Sequence, residues 1–186
     1  LASPNGHVID TAPQTVFISG KEQDVVQLYF GNSPKGSLLI KKIDSETHEP
    51  LSDVEFMVTT ADGTVVGDAN GKFFTDSAGT ILIEGINPGT TLVVKETRAK
   101  TGYELDDTPQ TATIKAGQTV TLEFRNAPQG CLLITKVDSV TRKPLSGVQF
   151  KIAGCNGCEY PAGTYTTDAN GQIKLSHIPS GCYSIT

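Results

Sequence analysis

Apolar and polar positions alternate in short runs through residues 36–129. The runs are SLLIKKID (37–44), VEFMVTT (54–60), TVVGD (64–68), KFFTD (72–76), TILIEGI (80–86), TTLVVKET (90–97), QTATIKA (110–116) and TVTLEFRN (119–126). Period-2 alternation in β-branched and aromatic residues predicts strands. Turn signals of the DG, NG, AG and PG kind separate the runs at the spacing of a β-sandwich. No stretch sustains a 3.6-residue period. The pattern predicts an all-β chain built of antiparallel sandwiches, Ig-like or prealbumin-like.

Parity along a strand selects the side chains that face inward. In the first run Leu38 and Ile40 share a parity with Lys42. In 90–97 Leu92 and Val94 share one with Glu96, and in the last run Val120, Leu122 and Phe124 share one with Asn126. An amine, an acid and a carboxamide thus end three apolar stripes that converge on one core. Such groups are rarely buried unless they are paired.

The same pattern recurs. GSLLIKKIDSETHEPLSDVEF (36–56) and GCLLITKVDSVTRKPLSGVQF (130–150) agree at thirteen of 21 positions, at an offset of 94. TDSAGTILIEGINPG (75–89) matches TDANGQIKLSHIPSG (167–181) at an offset of 92. The N-terminal stretch matches the end of the repeat: NGHVIDTAPQT (5–15) aligns with TGYELDDTPQT (101–111), and VVQLYFGNSPKG (25–36) with TVTLEFRNAPQG (119–130). The expected organisation is therefore the C-terminal strands of a preceding or complementing repeat (1–35), one complete repeat (36–129) and the N-terminal part of a following repeat (130–186). The two partial pieces are complementary.

Composition narrows the class. The chain has 186 residues, a formal net charge of −5, twelve aromatics without Trp, and 29 residues that are Gly or Pro. That glycine and proline content suits turns over long helices. No apolar run reaches the ~18 residues of a membrane-spanning helix, and no basic cluster suggests nucleic acid. The histidines, His7, His48 and His177, match no ligand or triad spacing. The Asp68-Ala-Asn-Gly and Asp168-Ala-Asn-Gly segments read as hairpin turns, since neither is followed by the bidentate Glu of a calcium loop. The residues imply no metal and no cofactor.

LIKKIDSETHEPLSDVEF, GINPGTTLVVKET and GYELDDTPQTATIKAGQTVTLEFRN, in that order and at domain-length spacing, resemble the CnaB-type (SpaA-like, prealbumin-like) repeat domains of Gram-positive surface adhesins and pilins. The resemblance covers 36–129 throughout and, in pieces, nearly all the rest. It implies an autocatalytic isopeptide bond between a first-strand Lys and a last-strand Asn, assisted by a buried acid. Matched by motif, these are Lys42, Asn126 and Glu96. Burial lowers an amine's pKa and raises a carboxyl's, so a buried Lys–Glu pair can hold a neutral amine ready to attack. Lys41 is the rival amine, but Thr135 replaces it in the second copy, whereas Lys136 repeats Lys42.

The second repeat departs from this pattern. Lys136 is present and Asn32 is the matching last-strand Asn, but the acid's position falls on Leu1 or Ala2 if the two pieces are joined. Lys136 and Asn32 are then a counterpart pair without a catalyst. This repeat holds every cysteine: Cys131, Cys155, Cys158 and Cys182. An Ig-like strand order would gather all four at one end of a sheet, which predicts two disulfides and an oxidising compartment. A zinc site is the alternative, though only Cys155–Cys158 has the CxxC spacing.

The expected function is that of an extracellular structural repeat in a bacterial surface adhesin, pilus or fibre. One repeat would be locked by the isopeptide bond and the other by disulfides. Apart from that single-turnover reaction no enzymatic activity is expected. The partners would be neighbouring copies or repeats of the same protein, units joining by strand complementation, with no nucleic acid and no membrane insertion. The alternative is an adhesin module that binds a glycan or host matrix protein through sandwich loops.

Overall fold

The computed structural model describes residues 3–21, 25–67 and 70–186. The positions where the second repeat's acid would fall, Leu1 and Ala2, lie outside these residues, as do Asp68 and Ala69 of the first Asn-Gly turn. Fourteen strands and no helix form among the described residues. They are β1 (His7–Val8), β2 (Ser33–Pro34), β3 (Gly36–Asp44), β4 (Glu55–Thr60), β5 (Lys72–Phe74), β6 (Thr80–Ile86), β7 (Thr91–Arg98), β8 (Gln110–Thr113), β9 (Thr119–Asn126), β10 (Gly130–Thr135), β11 (Gln149–Cys155), β12 (Gly163–Thr166), β13 (Gln172–Ile178) and β14 (Cys182–Ile185). The chain is all-β, as the alternation predicts. The TVVGD run is the exception, contributing only an isolated bridge between Val65 and Thr59.

Residues 36–129 form two sheets, ordered β6-β3-β9 and β5-β4-β7-β8. Their inner faces bury Leu38, Ile40, Phe56, Val58, Leu92, Val94 and Phe124 among others. Phe56 and Phe124, from opposite sheets, meet edge to face with ring centroids 4.9 Å apart. Each fully buried side chain of this size contributes roughly 1.5–3 kcal/mol.

One pair departs from the antiparallel expectation. β9 runs parallel to β3, in a register that sets Lys42 against Phe124 and Asp44 against Asn126. β8 belongs to the other sheet, so the chain crosses over before β9 and runs beside the first strand in the same direction. Parallel pairing of first and last strands has a spatial consequence. The chain enters the sandwich at Gly36 and leaves it after Asn126, at the opposite end.

Residues 130–186 repeat the first part of this topology. β10 pairs with β13 as β3 does with β6, and β11 lies between β12 and β14 as β4 lies between β5 and β7. Both copies place a glycine against the first strand. A Cβ on Gly79 (φ 68°) would come within 2.5 Å of the Lys42 carbonyl oxygen, and one on Gly171 (φ 70°) within 2.5 Å of that of Lys136. The left-handed turn and the missing side chain are both needed there. No strand in the described residues stands beside β10 as β9 stands beside β3. Phe56 is fully buried in the complete repeat, and its counterpart Phe150 is half-buried.

This topology corrects the cysteine expectation. Cys155 and Cys182 face each other across β11 and β14 and form a disulfide, with Cα atoms 5.2 Å apart. Cys131 and Cys158 are free. Cys131 sits on β10 opposite Ser176, in the other sheet, so the second strand does not lie between the other two as the Ig-like order requires. Among the described residues no group of three or more His, Cys, Asp or Glu side chains could hold a metal ion.

Candidate functional site: a buried amine, acid and carboxamide

The inward parity of β3, β7 and β9 brings three polar side chains to one point between the sheets. Lys42 and Glu96 have no solvent exposure and Asn126 has 1%; Lys42 is the largest fully buried side chain among the described residues. Lys42 and Asn126 come from neighbouring strands of one sheet. Glu96 comes from the facing sheet, where it pairs in register with Phe56.

The contacts close a ring. Lys42 Nζ donates to Asn126 Oδ1 at 2.5 Å, Asn126 Nδ2 donates to Glu96 Oε1 at 2.6 Å, and Glu96 Oε2 lies 2.9 Å from Lys42 Nζ. Glu96 Oε2 accepts no hydrogen bond, so its contact with the amine is that of an ion pair. Burial pulls Lys42 below the usual lysine range. Pairing with Glu96 foremost, and then the charge of Asp106, oppose that pull. Two ions removed from water are held only by each other and one amide, which makes the cluster expensive unless it does something.

The arrangement suits acyl transfer. The Lys42 amine lies beside the carbonyl end of the Asn126 carboxamide. Glu96 reaches both nitrogens, one through each carboxylate oxygen.

Three further residues shape the site. Asp44 continues the inward parity of Leu38, Ile40 and Lys42 and is 5% exposed. Its Oδ1 accepts from the backbone of Glu46 and Thr47, and its Oδ2 accepts from the Tyr103 hydroxyl at 3.0 Å. These bonds, the backbone ones foremost, hold the Asp44 carboxyl below its usual range. Asp106 adds its charge near Lys42. The strand parity could have flagged Asp44; nothing in the local pattern points to Tyr103 or Asp106.

The counterpart pair is not assembled. The Lys136 backbone repeats that of Lys42: its N–H donates to Gly171 O and its carbonyl accepts from Leu145, as Lys42 does with Gly79 and Leu51. Yet Lys136 is exposed, and Asn32 is exposed with its Oδ1 taken by the Asp10 backbone. No hydrogen bond joins the two.

A family model described as SpaA, a prealbumin-like fold domain, matches residues 36–128 and 130–186. Among solved structures, a streptococcal ancillary pilin shares 18% identity at a TM-score of 0.53, over 96% of this chain and 64% of its own. The Bacillus anthracis TIE protein shares 31% identity at 0.49, over 83% of this chain and 28% of its own. The shaft pilin SpaA from Lactobacillus rhamnosus GG shares 15% identity at 0.47, over 81% of this chain and 86% of its own. The likeness to the ancillary pilin is one of fold. The chain spans less than two thirds of the length of the first two. No curated protein matches it.

Proposed function

The chain belongs to the SpaA family of prealbumin-like fold domains, and from that premise we propose that it is a load-bearing segment of an extracellular bacterial surface structure, a pilus, fibre or adhesin stalk. Its complete repeat is locked by an isopeptide bond between Lys42 and Asn126. The observation that carries this reading is the closed, fully buried ring of Lys42, Glu96 and Asn126. The pilin names of proteins sharing the fold agree with it. No helix among the described residues is long and apolar enough to cross a membrane.

The geometry supports a defined reaction. Lys42 passes a proton to Glu96 Oε2, and the freed lone pair attacks Asn126 Cγ while the carbonyl π pair moves onto Oδ1. The Glu96 carboxyl turns to present this proton to Nδ2, the Cγ–Nδ2 bond breaks, and ammonia leaves. The carbonyl re-forms, and Glu96 takes the surplus proton from Nζ. An amine and a carboxamide become a secondary amide and ammonia, with Glu96 left as the neutral acid. Contact between the groups makes the step effectively unimolecular. The acid also takes up and returns the protons that each step needs. The bond joins the first and last strands, the two that lead to opposite ends of the sandwich, so tension along the chain would run through it.

Digestion of the folded, purified chain should release one branched peptide containing Lys42 and Asn126. Recovery of the two as separate linear peptides would contradict the lock.

We further propose that residues 130–186 are completed by segments like 5–21 and 25–32, supplied by a neighbouring unit and pairing there as strands. A cavity of about 450 Å³ opens beside Ile9, Asp10, Pro13, Phe30 and Asn32. Phe30 and Asn32 correspond to Phe124 and Asn126, which in the complete repeat contact Phe56 and Lys42. The fitting occupants are thus Phe150 and Lys136. Entry and exit at opposite ends of the complete repeat favour pairing between units over closure on itself. Light scattering should show concentration-dependent association that Phe30→Asp abolishes; a monomer at every concentration would contradict it.

A further inference from the structure

The segment Lys100–Glu104 crosses the end of the sandwich just beyond Asn126. Its backbone is tied to the chain leaving β9: Glu104 N–H donates to Ala127 O at 2.9 Å, Gln129 N–H donates to Gly102 O at 2.7 Å, and Tyr103 bridges Pro128. The Tyr103 ring packs against the hydrophobic core. Its hydroxyl reaches across to β3 and donates to Asp44 Oδ2 at 3.0 Å.

Asp44 is a fixed anchor. Its other carboxylate oxygen is held by two backbone N–H groups at 2.7 and 2.8 Å. Asp44 is also the register partner of Asn126, and the next residue, Ser45, donates its N–H to Asn126 O at 2.9 Å. A single hydroxyl therefore connects the crossing segment to the strand end that holds both Lys42 and the neighbour of the electrophile.

We propose that Tyr103 is a positioning residue: its hydroxyl pins the 100–104 segment to Asp44, closing the end of the sandwich over Lys42 and holding the Asn126 carboxamide against the amine. The hydroxyl touches none of the reacting atoms. Its effect on bond formation rests on the isopeptide reading above, whereas its effect on access to Lys42 does not.

Two measurements test this. In an Asn126→Ala background, which lacks the electrophile and keeps the Lys42–Glu96 pair, the chain is treated with the N-hydroxysuccinimide ester of acetate. Lys42 should stay protected, and adding Tyr103→Phe should raise its acetylation rate about tenfold, the factor expected for loss of one hydrogen bond to a charged group. Equal rates would overturn the proposal. With Asn126 intact, the loss of ammonia after cell-free synthesis is followed by intact mass. Tyr103→Phe should slow it about tenfold, and should slow it no further once Asp44→Ala is present. Additive effects of the two substitutions would overturn the coupling. Leu105→Ala, an exposed change next to the same segment, should leave both rates unchanged. If the unsubstituted chain never loses ammonia, the isopeptide reading fails, and acetylation of Lys42 still decides the role of Tyr103.

Discussion

Lys42 and Glu96 reach each other from opposite sheets, with Nζ and Oε2 2.9 Å apart and no solvent on either side chain. As an ion pair alone this contact gains little over apolar packing of the same volume. With the Asn126 carboxamide 2.5 Å from the amine and 2.6 Å from the acid, the pair becomes a nucleophile and its proton carrier.

Glu96→Gln keeps the shape and removes the carboxylate. The bond should fail to form, and the unreacted chain should carry a buried amine without its counter-ion, at a cost of about 3–5 kcal/mol. Urea unfolding together with intact mass measures both effects. A Gln variant that still loses ammonia would place the proton transfer elsewhere.

Acetylation of the native chain should separate the two equivalent lysines. Lys136 is exposed and should be modified quickly, whereas Lys42 should resist. Peptide mapping after brief treatment reads the ratio directly, and comparable modification of the two would contradict the burial of Lys42.

Much of this was legible in the alternation of side chains. Parity alone selects Lys42, Glu96 and Asn126 as inward-facing, because a strand has only two faces. The partner of each strand is a different kind of information. The parallel pairing of β3 with β9, and the separation of Cys131 from Cys155 and Cys182, depend on which sheet each strand joins. Local pattern does not encode that choice. The Tyr103–Asp44 contact links residues 59 apart through a loop without periodicity, so only the fold reveals it.

The single disulfide makes a countable prediction. The native chain should present two free thiols, Cys131 and Cys158, and four after reduction. The bridge spans a sequence separation of 27, so chain entropy gives it about 3–4 kcal/mol. Reduction should lower the unfolding midpoint of 130–186 and spare that of 36–129. A native chain with no titratable thiol would contradict the pairing.

The lowered pKa of Lys42 predicts a direction for stability against pH in the unreacted Asn126→Ala variant. The unfolded chain keeps the lysine proton up to about the ordinary 10.5, while the folded chain releases it earlier. Between those points the unfolded state binds more protons, so stability rises with pH. The window to read lies below pH 10, because Tyr103, raised above its ordinary 10.0, acts in the opposite sense beyond it. The urea midpoint of Asn126→Ala should climb across that window relative to Asn126→Ala with Lys42→Met. A flat difference would contradict the shift.

Formation of the Lys42–Asn126 bond is read from the intact mass of the purified, fully reduced chain beside that of Glu96→Gln. The unsubstituted chain should be lighter than its calculated mass by one ammonia, and the variant should not. An unsubstituted chain at its full calculated mass would contradict it.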